Sequence, residues 1–233
     1  MFNEDYFILN GENSLEKGIT VIELPSFTVP KVKFEEIEVL GRDGVYTFTE
    51  EAREDTIKKC KVYYNGDDID SLVEFLRDGQ VIFSNKTDRY YNARIVSEIP
   101  IDELFRNNDY GAWYEFYIDF KCEPYGRFVD NEVITITEKE SIIYNQGIKS
   151  EPVITIYGNG NINLFVNGNQ LTLKEVDGYI TVDTHKKRTT KGLERQNEKK
   201  IGNFPKLDKG ENLITWDGSV SKIEIIPNFR YLV

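Results

Sequence analysis

Residues 113–122 form the clearest strand in the sequence, and they restrict what the chain can fold into. Tyr114, Phe116, Ile118, Phe120 and Cys122 occupy every second position, and Glu115, Asp119 and Lys121 lie between them. Successive side chains of a strand point to opposite faces, so this spacing predicts a strand with one face in a core. Tyrosine and phenylalanine, 14 of each, also favour pleated surfaces. The chain is therefore expected to be mainly β.

Short apolar segments separated by turn residues predict the remaining strands. They cover residues 19–24, 45–48, 57–64, 81–83, 90–95, 133–137, 152–157, 162–166, 171–173, 179–183, 213–216 and 223–226. Asn167-Gly168 between two of them is a strong signal for a tight hairpin, because both residues tolerate a left-handed backbone. The even spacing of strands and turns in the second half predicts a β-sandwich.

One helix is predicted near residue 70. Asp67 or Asp68 can cap it by accepting a hydrogen bond from a free backbone N–H. Its apolar stripe, with the spacing of a helix face, is Ile69, Leu72, Val73 and Leu76, and Gly79 is placed to end it. Residues 101–105 are expected to form a short helical turn.

The charge distribution divides the chain in two. Residues 1–142 carry 16 basic and 30 acidic side chains, a net of −14, whereas residues 143–233 carry 13 and 10, a net of +3. We therefore predict domains at 1–142 and 143–233, with residues 138–149 as the linker. Residues 185–203 are polar and are expected to form a long surface loop.

Several classes of protein are disfavoured by the composition. The net charge of −11 opposes wholesale nucleic-acid binding. No apolar run is long enough to span a membrane, and the acidic start of the chain is unlike a signal peptide. Cys60 and Cys122 are predicted to be buried thiols in a protein made in a reducing cytoplasm.

No reaction chemistry is assigned to any residue. A lone His185 beside Lys186 cannot supply a histidine-rich metal site, and the common nucleotide-binding and hydrolase motifs are absent from the sequence. Trp216 follows apolar residues of a predicted strand and is expected in the core. We therefore predict no catalytic, cofactor-binding or metal-binding residue, and expect the protein not to be an enzyme.

A series of short motifs, each weak alone, resembles the distal tail proteins of long-tailed bacteriophages that infect Gram-positive hosts, including their prophage and tail-like-particle relatives. In chain order the motifs include Gly41-Arg42-Asp43-Gly44, Tyr90-Tyr91-Asn92-Ala93-Arg94, Phe120-Lys121-Cys122-Glu123-Pro124-Tyr125, Glu151-Pro152-Val153-Ile154, Phe165-Val166-Asn167-Gly168, Gly178-Tyr179-Ile180-Thr181-Val182-Asp183 and Pro227-Asn228-Phe229-Arg230-Tyr231. Their order and spacing, over nearly the whole chain, carry the resemblance.

The resemblance implies an N-terminal β-sandwich-like domain with one helix and a C-terminal β-sandwich like those of galectins and carbohydrate-binding modules. It implies a structural baseplate hub, assembled in the host cytoplasm and located at the virion tail tip. Copies of the chain would form a hexameric ring, with rings possibly stacked in vitro. The implied partners are the tail tube protein, a tail-associated lysin or tip protein, and a receptor-binding protein or cell-wall polymer, without membrane or specific nucleic-acid binding.

Two sets of residues are candidates for contacts. A closed ring needs two different patches on each subunit, and aromatic and arginine side chains anchor such interfaces. The candidates for the ring interface are Tyr46, Phe48, Tyr90, Tyr91 and Arg94. The candidates for a basic contact loop, which would meet an acidic partner or a cell-wall polymer, are Lys186, Lys187, Arg188 and Lys191.

Two alternative functions remain open from the sequence. One is a carbohydrate-binding module with an oligomerising domain, and the other is an accessory hydrolase built on two of the 40 acidic residues. Rings seen by microscopy favour the hub, whereas a monomer that binds a glycan array favours the module.

Overall fold

The computed structural model describes residues 4–38, 40–41, 43–66, 68–100, 104–107 and 111–232. They form two compact units, one comprising Met1–Val129 with Leu232–Val233 and the other Asp130–Tyr231. Each unit has its own cluster of buried apolar side chains. The prediction of a mainly β chain is confirmed.

The first unit is an antiparallel sheet that curls until its two ends meet. The strand order is β2-β1-β7-β8-β10-β6-β3, β9 adds to β10 and β11 adds to β8. Val21 donates a backbone hydrogen bond of 3.0 Å to Asp5, which joins the two ends of the sheet. The elements are β1 (Phe7–Leu9), β2 (Glu12–Asn13), β3 (Ile19–Glu23), β4 (Val32–Glu38), β5 (Val45–Arg53), β6 (Thr56–Tyr64), α1 (Ile69–Phe75), β7 (Gly79–Phe83), β8 (Lys86–Ile95), β9 (Leu104–Asn107), β10 (Gly111–Cys122) and β11 (Gly126–Phe128).

Alternation along β10 decides which side chains fill this curled sheet. Phe116, Ile118, Phe120 and Cys122 are almost completely buried, as the sequence predicts. They pack against the rings of Phe7 and Phe83, whose centroids lie 5.3 and 5.7 Å from that of Phe120. Cys60 and Cys122 are buried free thiols, which confirms that prediction.

The helix α1 begins as the sequence predicts but packs differently. Asp68 caps it, and its carboxylate accepts a 3.2 Å hydrogen bond from the Ser71 amide, while Asp67 lies outside the described residues. The helix ends at Phe75, before Gly79, which is the first residue of β7. The predicted stripe was wrong in part, because Val73 is 59% exposed and Phe75 is buried with Leu72.

The second unit is built on three long antiparallel strands. The elements are β12 (Ile134–Ile136), β13 (Glu140–Asn145), β14 (Val153–Val166), β15 (Asn169–Asp183), β16 (Arg188–Lys191), β17 (Glu194–Arg195), β18 (Lys200–Gly202), β19 (Gly210–Ile226) and β20 (Arg230–Tyr231). The strand order in the sheet is β12-β19-β14-β15-β16-β17, and β13 adds to β19 while β18 adds to β15. The β14–β15 turn is Asn167-Gly168 with φ of 52° and 78°, as predicted.

Irregular registers interrupt the long strands. The pairing of β14 with β15 shifts between Gly160 and Ile162, and that of β14 with β19 shifts twice in the same region. Each long strand therefore has two halves, and the buried side chains of both halves pack together in one core. Trp216 is in this core at 5% exposure, which confirms its predicted burial.

Three predictions about irregular segments were wrong. The predicted linker 138–149 contains β13, which pairs with residues 210–215 of β19, and the boundary between the units lies earlier, after Val129. The predicted loop 185–203 contains β16, β17, β18 and a 3₁₀ helix, Asn197–Lys199. Leu104–Asn107 is a strand and not part of a helical turn, and residues 101–103 lie outside the described residues.

Candidate interaction surfaces

The hairpin β4–β5 is the first candidate surface. Its two strands pair with each other and, among the strands described, with no other. Its base is fixed by a 2.6 Å hydrogen bond from the Arg53 guanidinium to the Pro30 carbonyl and by a 2.9 Å backbone bond from Glu54 to Lys31. The turn residues Gly41 and Gly44 have positive φ, whereas Arg42 of the predicted turn lies outside the described residues.

Exposed apolar side chains cover this hairpin. Tyr46 and Phe48 are 49% and 54% exposed, and their rings stack on one face with centroids 6.0 Å apart. Ile37 is the cross-strand partner of Tyr46 on the same face. Phe34, Leu40 and Val45 are exposed as well. A hairpin with no further strand and this much exposed apolar surface is marginal in water by itself.

The other candidates for the ring interface lie on β8, which does not pair with the hairpin. Arg94 is exposed, with its Nε 4.0 Å from Asp78 Oδ2. Tyr90 is half-buried, and its cross-strand partner is Arg127. Tyr91 is 2% exposed and belongs to the core, where the Lys58 ammonium lies 4.3 Å from the centre of its ring. Tyr91 therefore offers no surface to a partner.

The basic residues predicted as one contact loop are divided between two places. Lys186 and Arg188 lie 4.0 and 3.7 Å from one carboxylate oxygen of Asp183, and Lys187 is exposed in a turn with φ of 49°. Lys191 instead forms a 2.8 Å ion pair with Asp177, which holds the pKa of that carboxyl below its usual range. Lys191 thus does not share the surroundings of the other three.

The fold brings further charged side chains into the neighbourhood of Lys186 and Arg188. Glu151 Oε2 lies 3.1 Å from His185 Nδ1 and 4.0 Å from Arg230 Nη1, and Glu151 Oε1 lies 3.9 Å from Lys206 Nζ. We call His185, Lys186, Arg188, Lys206 and Arg230, together with Glu151 and Asp183, the basic cluster. Sequence reasoning missed Lys206 and Arg230, because no spacing along the chain relates them to the loop.

The outer face of the second unit carries two neighbouring tyrosines, a type of side chain that can stack against a sugar ring. The rings of Tyr157 and Tyr179 lie 6.0 Å apart on neighbouring strands. The Lys222 ammonium lies 4.4 Å from the centre of the Tyr157 ring, and the Tyr157 hydroxyl donates a 2.9 Å hydrogen bond to Glu224. That bond raises the pKa of Tyr157. The groups that a sugar would use on Tyr157 already have partners within the chain.

The two thiols are chemically quiet. Burial raises the pKa of Cys122 to about 12 and raises that of Cys60 as well, so both remain protonated near neutral pH. Across the described ranges, no group of three or more His, Cys, Asp or Glu side chains could hold a metal ion. No helix in the described part of the chain is both long and apolar enough to cross a membrane.

The chain combines a curled β unit carrying one short helix with a β unit of long bent strands. The fold is similar to that of Dit (gp 19.1) of SPP1, whose crystal structure is described as a paradigm of the hub adsorption apparatus in phages infecting Gram-positive bacteria. The similarity has a TM-score of 0.71 at 14% identity and covers 97% of this chain and 99% of that one. The chain thus has the fold of a distal tail protein, as the resemblance predicts. No family model and no curated protein matches it.

Proposed function

We infer that the protein is the structural hub of a phage tail tip, without enzymatic activity, and that its copies assemble into a hexameric ring. The ring would join the tail tube to a tail-associated lysin or tip protein and would carry receptor-binding proteins or contact a cell-wall polymer. Similarity to the SPP1 hub protein over nearly the whole of both chains supports this role. The protein would then be part of the virion tail.

The exposed hairpin β4–β5 carries the proposal of self-assembly. Its apolar side chains are exposed on the single chain, and burying them against a neighbouring subunit would remove that surface from water. A head-to-tail contact between unlike patches closes into a ring when its rotation allows. Tyr46 and Phe48 form one patch in this proposal, and Tyr90 and Arg94 remain candidates for the other.

Native mass spectrometry and negative-stain microscopy of the full chain test the ring. The wild-type protein is expected to give hexamers or pairs of stacked hexamers. Tyr46→Ser combined with Phe48→Ser is expected to give monomers at the same concentration, because it removes the aromatic patch. Leu193→Ser with Ile201→Ser is the matched control, since both residues are exposed apolar side chains of the second unit.

The outcomes separate the hub from its alternatives. A wild-type protein that stays monomeric at all concentrations tested contradicts the ring. Hexamers that persist in the Tyr46/Phe48 variant reject the hairpin as the contact while leaving the ring in place. A monomer that binds a glycan array supports the carbohydrate-binding module instead.

A further inference from the structure

The basic cluster is assembled from four separate segments of the second unit. Thr184 is almost fully buried, and its backbone N–H donates a 3.1 Å hydrogen bond to the Pro152 carbonyl while its hydroxyl donates a 2.8 Å bond to the Pro205 carbonyl. These bonds bring Glu151, His185 and Lys206 together. Arg230 is held by a 2.7 Å bond from its Nε to the Lys149 carbonyl.

The cluster has more positive than negative charge. Its permanent cations are Lys186, Arg188, Lys206 and Arg230, and its two carboxylates are Glu151 and Asp183, so cations outnumber carboxylates by two without counting His185. The adjacent Lys149 and Asp208 pair at 3.2 Å and add no net charge. A local positive field on a chain with a net charge of −11 favours an anionic partner.

The two carboxylates lie close to the cations. The side chains of Asp183 and Glu151 are only 12% and 23% exposed, whereas those of Lys186, Lys206 and Arg188 are 59%, 45% and 43% exposed. These three side chains are therefore more exposed than the carboxylates, which lie 3.7 to 4.0 Å from them and limit the positions they adopt. Such preorganisation lowers the entropy lost when the cations bind a ligand.

The surroundings of the cluster indicate a flexible polyanion instead of a folded protein. Protein interfaces have an apolar centre with a polar rim. None of the exposed large hydrophobic side chains of the described residues lies within 148–153, 183–188, 204–207 or 228–231, the segments that form the cluster. A surface that offers many charges and little apolar area is suited to a chain of phosphate groups.

We propose that the basic cluster is a binding site for a linear, phosphate-bearing polymer other than a nucleic acid. Lys186, Arg188 and Lys206 would contact successive phosphate groups, and each cation would displace counterions from the polymer. The affinity is therefore expected to fall steeply as salt concentration rises. The proposal rests on the hub function, for which it specifies the kind of polymer contacted, but it does not depend on the hairpin contact.

The test measures binding of a short linear polyphosphate to the full-length protein by fluorescence anisotropy at several salt concentrations. Lys186→Glu with Lys206→Glu is expected to weaken binding by roughly tenfold or more. Lys139→Glu with Lys191→Glu makes the same change of net charge, also at lysines of the second unit that pair with carboxylates, and is expected to change affinity by less than about twofold.

Each other outcome overturns the proposal. Equal losses in both variants mean that only the overall charge matters, and no binding by the wild-type protein means that no site exists. Tighter binding of polyglutamate indicates an acidic protein partner, and tighter binding of single-stranded DNA indicates a nucleic acid. Native mass spectrometry of the same variants keeps this test separate from the hub, because ring assembly is expected to be unchanged in both.

Discussion

At the scale of the residue, two consecutive lysines of β6 have opposite environments. Lys58 is 4% exposed and points into the curled sheet, where its ammonium lies 4.3 Å from the centre of the Tyr91 ring and 5.2 Å from that of Phe27. Lys59 is exposed and lies 4.3 Å from the Tyr117 ring on the outer face. Alternation along a strand explains the difference, but nothing in the sequence indicates a charge inside.

Replacing Lys58 by methionine is expected to stabilise the first unit by about 1 kcal/mol, because burying a charge that pairs with no carboxylate of the described residues costs more than the ring contacts return. Burial also lowers the pKa of Lys58, because the charged form of the side chain is disfavoured away from water. Urea unfolding measures the change. Lys59→Met, which also faces a tyrosine ring, is the control and is expected to change stability by less than about 0.5 kcal/mol. A strong destabilisation by Lys58→Met would show that the ammonium has a structural role.

The difference in stability between the wild-type protein and Lys58→Met is expected to depend on pH in one direction. The folded pKa of Lys58 lies below its unfolded value, so between the two values the unfolded chain binds more protons. The stability of the wild-type unit relative to Lys58→Met therefore rises as pH increases through that window towards the unfolded value of about 10.4. The advantage of the methionine variant is expected to shrink over this range in urea unfolding. An advantage that grows with pH would contradict the assignment.

At the scale of the element, one register shift between the long strands lies at a glycine with a close backbone contact. Gly218 in β19 has φ of 107°, and a Cβ atom there would lie 2.5 Å from the Asn161 carbonyl oxygen of β14. Gly178 in β15 also has a positive φ, of 77°, but a Cβ atom there would meet nothing within 4 Å. Comparing substitutions at the two glycines therefore separates the cost of a left-handed backbone from the cost of the close backbone contact.

Gly218→Ala is expected to destabilise the second unit by about 3 kcal/mol, because the methyl group meets backbone that cannot move without breaking strand pairing. Gly178→Ala is the control and is expected to cost about 1 kcal/mol, from the left-handed conformation alone. Urea unfolding of the full chain measures both. Equal costs in the two variants would mean that the contact at Gly218 relaxes freely.

The elements also show where sequence reasoning succeeds. Side-chain alternation located β10, and Asn167-Gly168 located a tight turn, because in both cases the chemistry of the residues sets the local structure. The sequence predicts a loop where the short strands β16 and β18 lie, because their residues are polar. In the structure both strands are held by backbone pairing with β15. Pairing with a distant strand leaves no pattern in the segment itself.

At the scale of the whole molecule, the candidate surfaces also depend on contacts that the sequence does not indicate. Tyr46 and Phe48 could be proposed as contacts from residue type, but only the structure shows that they are exposed and that Tyr91 is not. The basic cluster depends on Lys206 and Arg230, which reach Glu151 through the topology of the second unit. Sites formed by distant segments cannot be located from the order of residues alone.

The two units have separate cores, and this predicts how the whole chain unfolds. The apolar cluster of the first unit runs from Phe7 to Cys122, that of the second from Ile136 to Ile225, and they share no residue. Calorimetry of the full chain is therefore expected to show two transitions. Lys58→Met is expected to raise the midpoint of one and Gly218→Ala to lower that of the other, by roughly 2 to 8 °C per kcal/mol over the range of sizes that includes both units. Leu193→Ser, at an exposed side chain, is expected to move neither. A single transition that both variants shift would mean that the two cores unfold together.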